Sequence, residues 1–357
     1  MTTSDFTITT GELAERLDAE LIGPSDLIIH GLNTLERAKP GQASFIGDGR
    51  HAHGWATSQA TAAFVTRGVE VPTNAKDDGR ALLIVGNADL AMAEALGLFS
   101  IPEERPEPGV SSEAVIHPTA ELGDEVTVSR NCYIGPRTKI GHRTILEPNV
   151  YIGRDCVIGD DCIFRFGVVI RERCSLGHRV SVHSNTVIGG DGFGYRPDGK
   201  GGLVKIPHLG TVEIHDDVEI GGCATIDRAK FNATVIEAHA KLDNQVQVGH
   251  NGHIGRGCVL AAQSGTAGST VLGNFCQLAG QVGVADHVTL GDGVRVAGHS
   301  GVMRDVAAGE TVGGVPAVNL GLYWRVQSAV YKLPSLLKIL GRQGIRPTSI
   351  VPRDKMP

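Results

Sequence analysis

From Ile116 onward, every sixth residue is large and apolar: Ile116, Leu122, Val128, Ile134, Ile140, Leu146, Ile152, Ile158, Phe164, Ile170, Leu176, Val182 and Ile188. The step is lost between 188 and 214, resumes at Ile214, Ile220 and Ile226, slips by four residues, and continues from Ile236 to Val302. Two places before the large residue the side chain is small, as at Val126, Cys132, Thr138, Thr144 and Val150. The residue after it is often Gly, as at Gly135, Gly141, Gly153 and Gly159, which suits a tight corner. A period of six is neither the 3.6 of a helix nor the 2 of an alternating strand. One short strand and one turn per hexad, with a large side chain pointing inward at each corner, describes a β-solenoid.

The pattern is similar to that of the hexapeptide-repeat proteins, and the resemblance implies a triangular prism. Three hexads then make a coil, and coils stack about 4.8 Å apart. The expected fold class is mainly β, a left-handed parallel β-helix over 110–317 preceded by an α/β domain over 1–100 and a linker at 101–109. A helical C-terminal extension is expected over 318–357, with its helix at 320–340 interrupted at Pro334. In the first domain, 11–19 has helical spacing through Leu13, Ala14 and Leu17, and 62–65 and Ala81–Val85 read as short buried strands. Pro102, Pro106 and Pro108 make the linker stiff. The out-of-phase stretch 189–211 begins Gly189-Gly190-Asp191-Gly192-Phe193-Gly194-Tyr195 and is expected to protrude from the prism. Loops of that length in a compact repeat are usually functional.

Hydrophobic residues at 41% and charged residues at 20% exclude a disordered chain. With 48 Gly among 357 residues, and only 9 Phe, 5 Tyr and 2 Trp, the core must be thin, aliphatic and rich in bends. Six of the 7 Cys (Cys132, Cys156, Cys162, Cys174, Cys258 and Cys276) occupy the small slot, so they read as core fillers rather than as disulfides or zinc ligands. No apolar run of about 18 residues is present, and the start lacks a basic then apolar export signal. A cytoplasmic protein without a transmembrane segment is therefore expected. The net charge of −6 speaks against a nucleic-acid partner. The extension is the exception, with Arg325, Lys332, Lys338, Arg342, Arg346, Arg353 and Lys355 against the single acid Asp354, which suits an acidic partner.

Because a β-helix specifies no reaction, function must be read from polar residues that break the repeat. In Asp243-Asn244-Gln245-Val246-Gln247-Val248-Gly249-His250-Asn251, His250 falls two places after an apolar corner and is free to face a groove. An imidazole, ordinarily titrating at about 6.5, suits a general base near neutrality. Gly268 follows 18 residues later, in the same phase one coil on, where a residue without a side chain leaves its N–H open. A base beside an exposed amide donor is what acyl transfer needs, one group taking the proton and the other holding the oxyanion. Asp243 is a candidate for fixing the imidazole tautomer.

These motifs extend to a family. The chain resembles the UDP-3-O-acylglucosamine N-acyltransferases of lipid A biosynthesis through Val187-Ile-Gly-Gly-Asp-Gly-Phe-Gly-Tyr195, Lys205-Ile-Pro207, Ala224-Thr-Ile-Asp-Arg228, Asp243-Asn244 and Val248-Gly-His-Asn251. Gln281-Val-Gly-Val-Ala-Asp-His287, Gly301-Val-Met-Arg304, Gly314-Val-Pro316 and Trp324-Arg325 add to it. The resemblance implies a homotrimer with active sites in grooves between prisms. It also implies a 3-hydroxyacyl donor on acyl carrier protein and, as acceptor, the 2-amino group of UDP-3-O-acylglucosamine. His250 would be the base, Asp243 its orienting partner, Gly268 the oxyanion donor, and His287 a contact to sugar or thioester. No metal and no diffusible cofactor are implied, since the carrier protein brings its own 4′-phosphopantetheine arm. Around the uracil the family places an aromatic, an Asn and a Tyr; here Phe45 matches, while Asp48 and His51 stand at the other two positions. These departures, with those at 229–237, keep open a paralogue acting on another nucleotide amino sugar. A structural solenoid is a second alternative, and a third is a zinc enzyme similar to γ-class carbonic anhydrases through His142, His178 and His183.

Overall fold

Short strands, most of them of two residues, recur from Gly109–Val110 to Thr311–Val312, at six-residue steps with a turn between them except at two insertions and at the final step. They pair in parallel into sheets of eleven, ten and nine strands, the three faces of a prism. A coil runs from the eleven-stranded sheet (Thr127–Val128) to the ten-stranded (Tyr133–Ile134) and the nine-stranded (Lys139–Ile140), then starts again at Ile145–Leu146. The chain is thus a parallel β-helix in this computed structural model, which describes residues 6–72, 79–101, 105–314 and 318–343. It comprises two units, Met1–Arg105 and Pro106–Pro357.

The hexad explains the packing directly. The large residues form one continuous buried column with the small-slot residues packed beside them. The small slot also has hydrogen-bonding work. Thr138 Oγ1 donates to the Gly153 carbonyl at 2.6 Å and accepts from the Cys156 amide at 3.2 Å. Cys132, Cys162, Cys258 and Cys276 direct their thiols at carbonyls 15 residues on. A small side chain with a donor therefore satisfies a carbonyl at the corner that lies buried away from water. From Glu125 onward the second residue of the prism's turns is left-handed, with φ near 60° at Asn131, Asn149, Asn185 and Asn251, a conformation that Asn tolerates better than most residues.

Two interruptions decide where the prism is decorated. The offset between stacked coils rises from 18 residues to 38, falls to 22, and returns to 18. The larger one follows Val187–Asp191 and forms an antiparallel hairpin, Tyr195–Pro197 with Leu203–Lys205, before rejoining at Thr211–Ile214. The smaller follows Thr225–Arg228. Both leave from the ten-stranded sheet and return to the nine-stranded one, so they emerge at the same corner of the prism.

In the N-terminal unit a five-stranded sheet is ordered Glu20–Ile22, Ala81–Val85, Ala62–Thr66, Gln42–Ile46 and Gly31–Leu32. Helix Thr10–Arg16 opens on a capping box between Thr9 and Glu12, and helix Ala88–Phe99 on an Asn87 cap. At the other end of the chain, helix Leu320–Arg342 runs through Pro334 rather than breaking there. The bond lost is to the carbonyl of Val330, on a helix with no buried residue, where one missing bond is tolerated. No described helix is long and apolar enough to cross a membrane. Of the basic residues expected in the extension, Arg346, Arg353 and Lys355, with the acid Asp354, lie outside the described residues, as does Pro102 of the linker.

Candidate active site

The corner between the ten- and nine-stranded sheets gathers turns from successive coils. His250 follows strand Gln247–Val248, Gly268 follows Gly265–Thr266, and His287 follows Gly283–Val284, all in the ten-stranded sheet. They line one cavity of about 550 Å³, shared with Phe193 and Arg196 of the protruding loop and with Lys230 of the smaller insertion. Strands at this corner differ by one coil each, so residues of the same phase stack at the spacing of a sheet.

His250 and Gly268 are in close apposition. A Cβ built on Gly268 would stand 2.6 Å from both Cε1 and Nε2 of His250, so only glycine admits the ring here. At the corner after the nine-stranded sheet the equivalent turn amide is capped in several coils by a side chain from the next coil. Asp160 caps His142 at 2.8 Å, Asn274 caps Arg256 at 3.0 Å, and Asp292 caps Asn274 at 2.7 Å. The Gly268 N–H has no such partner among the described residues. An unspent backbone donor beside an imidazole is the pairing that a developing oxyanion and a departing proton require.

The other side of His250 is held by Asn251, whose Oδ1 lies 3.1 Å from Nδ1. That oxygen also accepts from the Lys230 amide at 2.9 Å, while Asn251 Nδ2 donates to the Phe231 carbonyl at 2.9 Å. With Oδ1 accepting, Nδ1 carries the proton and Nε2 faces Gly268 as the acceptor. Asp243 does not fill this role within one prism. Seven residues are about one hexad, so Asp243 falls at the preceding corner, after Lys241–Leu242 of the eleven-stranded sheet. There its carboxylate accepts from the Asn244 amide at 2.7 Å and the Ala262 amide at 3.1 Å, in a separate pocket that includes His183.

Three residues at this corner had no role assigned from the sequence, although Asp227 and Arg228 stand in the Ala224–Arg228 motif. Asp227 lines the cavity, and burial pushes its carboxyl above the ordinary range against the opposing pull of Gln247 and His250. Arg228, 2% exposed, pairs with Glu172 at 2.8 Å and donates to the Gly189 carbonyl at 2.7 Å, pinning the root of the loop. His208, on the returning limb of the loop, is buried against His250. None belongs to the hexad, and nothing in linear spacing relates 208 to 250.

In the N-terminal unit, Phe45, Asp48 and His51 line one pocket of about 490 Å³ with Thr34, Glu36 and Asp89. Asp48 caps the short helix Gly49–Ala52, and its carboxylate takes the Arg50 guanidinium and amide together with His51 Nδ1 at 3.1 Å. The Arg50 hydrogen bond holds the Asp48 carboxyl down at about 2. Its negative charge is therefore balanced locally rather than presented bare to an anionic ligand. His142 and His178 are occupied elsewhere: each Nδ1 accepts from the backbone amide of an aspartate one coil back, Asp124 at 2.9 Å and Asp160 at 3.0 Å.

Comparison with known proteins adds a family. The profile described as UDP-3-O-(3-hydroxymyristoyl) glucosamine N-acyltransferase, LpxD, matches residues 26–98, and that of the bacterial transferase hexapeptide (six repeats) matches 137–172. The chain is 43% identical over 336 residues to a UDP-3-O-acylglucosamine N-acyltransferase of Anaeromyxobacter sp., covering 93% of this chain and 94% of that one. It is 48% identical over 331 residues to the protein of that name from Nitratidesulfovibrio vulgaris, again covering 93% and 94%. With UDP-3-O-acylglucosamine N-acyltransferase 1 of Francisella tularensis it shares 44% identity over 263 residues, 73% of this chain and 75% of the relative.

Proposed function

The chain belongs to the UDP-3-O-acylglucosamine N-acyltransferase family and is an acyltransferase, and from that premise we propose the reaction and the groups that carry it. The donor is a 3-hydroxyacyl thioester on the phosphopantetheine arm of acyl carrier protein. The acceptor is the 2-amino group of UDP-3-O-acylglucosamine, and the product is the UDP-2,3-diacylglucosamine of lipid A biosynthesis, made in the cytoplasm.

The observation that carries this reading is the unspent Gly268 N–H set against the His250 ring. The neutral amine attacks the thioester carbonyl, forming the C–N bond while the carbonyl oxygen gathers charge at the Gly268 N–H. His250 Nε2 takes the proton that the nitrogen loses. Collapse breaks the C–S bond, and the proton leaves with the thiol of the pantetheine arm. Asn251 holds the tautomer that leaves Nε2 free. His287, in the same cavity, contacts the sugar or the thioester. In the homotrimer this reading assigns, Asp243 joins the set from a neighbouring protomer. The Phe45 pocket takes the nucleotide, and the basic face of the extension takes the acidic carrier protein.

Mass spectrometry of a reaction containing the purified protein, UDP-3-O-(3-hydroxyacyl)glucosamine and 3-hydroxyacyl carrier proteins of several chain lengths tests it. The expected product gains one hydroxyacyl group in an amide that survives mild base. A folded trimer that yields no product refutes this acceptor and directs the search to other nucleotide amino sugars.

A further inference from the structure

Behind the cavity wall, His208 meets His250 edge to face, with ring centroids 5.0 Å apart and planes at 61°. His208 is 5% exposed, and neither of its ring nitrogens has a hydrogen-bond partner among the described residues. Buried polar atoms normally have partners, and an aliphatic side chain here would avoid the desolvation cost. The loop is anchored by Arg228 on the Gly189 carbonyl and by Lys205 on Asp191.

The backbone of the loop is cut to fit both rings. A Cβ on Gly192 would stand 2.6 Å from His250 Cβ and 2.7 Å from His208 Nε2, and one on Gly194 would stand 3.0 Å from His208 Cε1. Burial first, and then the charge of His250, lower the tendency of His208 to protonate, against the opposing pull of the Ile206 backbone and of Asp191, while Lys230 adds to the lowering. The result is a neutral ring whose dipole is fixed beside the imidazole that gains a proton during aminolysis. Such a dipole, oriented before the charge appears, needs no reorganisation when it does.

Resting on the reading of His250 as the base, we propose that His208 is a positioning residue for acyl transfer. Its ring fixes the plane of His250 against Gly268, and its dipole stabilises the imidazolium that His250 becomes.

The test measures kcat, acceptor KM and the thermal midpoint of the full chain as His208→Ala, His208→Gln and His208→Phe, with His250→Ala alongside. His208→Ala is expected to lose about ten- to a hundredfold in kcat, with KM within about twofold of the parent. His208→Gln restores a polar group and recovers kcat, whereas His208→Phe restores volume alone and does not. Parental kcat in His208→Ala, or recovery by Phe equal to that by Gln, overturns the proposal. If His208→Ala fails to fold, the two variants that keep the volume carry the comparison. Turnover that survives His250→Ala defeats the base reading itself, whereas an inactive His250→Ala beside a fully active His208→Ala defeats only the role of His208.

Discussion

Gly268→Ala is the sharpest probe of the site because it changes one methyl group and little else. The new Cβ would lie 2.6 Å from His250 Cε1 and Nε2. Carbon contacts settle at about 3.5–4.0 Å, so the ring must retreat by roughly 1 Å. The backbone at 268 is outside the left-handed region, so alanine itself is unstrained there. Folding then loses at most the Nδ1 contact to Asn251, about 0.5–1.5 kcal/mol, offset by about 0.4–1 kcal/mol from the stiffer unfolded chain. Catalysis has no such compensation. A misplacement of about 1 Å costs on the order of a hundredfold, equivalent to about 2.7 kcal/mol of barrier. Steady-state assays with a carrier-protein donor, paired with thermal unfolding, separate the two effects. The expected result is a kcat lowered about a hundredfold with a midpoint close to the parent's. Gly97→Ala, on the exposed side of helix Ala88–Phe99 with nothing within 4 Å of its Cβ, is the control and keeps parental kcat. A fully active Gly268→Ala would refute the close pairing of base and amide.

Arg228→Met strips the Gly189 carbonyl of its donor and Glu172 of one of two guanidinium partners, Arg171 remaining; a lowered thermal midpoint and new proteolytic cuts within 192–210 are expected, and an unchanged cleavage pattern would contradict the anchoring role. Asp48 owes its carboxyl pKa of about 2 to Arg50, so its contribution to the folded state is present above the ordinary Asp range near 3.9 and is lost as pH falls toward 2. Carbon-13 titration of Arg50→Ala should show the Asp48 carboxyl back near its ordinary value, and no movement would refute the assignment. Burial pushes the thiols of Cys156 and Cys162 up to about 11 and Cys174 up to about 12, whereas Cys223 is exposed. At neutral pH a native thiol titration should therefore label Cys223 rapidly and those three only on unfolding; rapid native labelling of any of the three would show the column to be open.

Much of the fold was legible because a solenoid is close to one-dimensional. Each hexad meets only its neighbours in the coils above and below, so a local period of six reports both strand and corner without knowledge of distant residues. The slip of four residues after Ile226 was visible for the same reason, and it returns as the 22-residue offset between coils. Phase arithmetic also reached Gly268 from His250, because equal phase means the same corner. It could not place Asp243, because seven residues carry the chain round to a different edge of the same prism. Pro334 misled: a breaker rule written for helix interiors does not decide a long exposed helix, which continues through the one missing bond.

The sequence by itself determined the β-helix, the break in it, the family and the pairing of His250 with Gly268, since all of these are written in residue type and regular spacing. Only the tertiary structure decided that both insertions leave from the corner that bears His250, that Asn251 rather than Asp243 holds the imidazole within a prism, and that His208 lies against it. Those contacts join an irregular loop to a regular coil. No period relates the two, and the path of the loop is set by Arg228, by the Lys205–Asp191 pair and by the space that Gly192 leaves open.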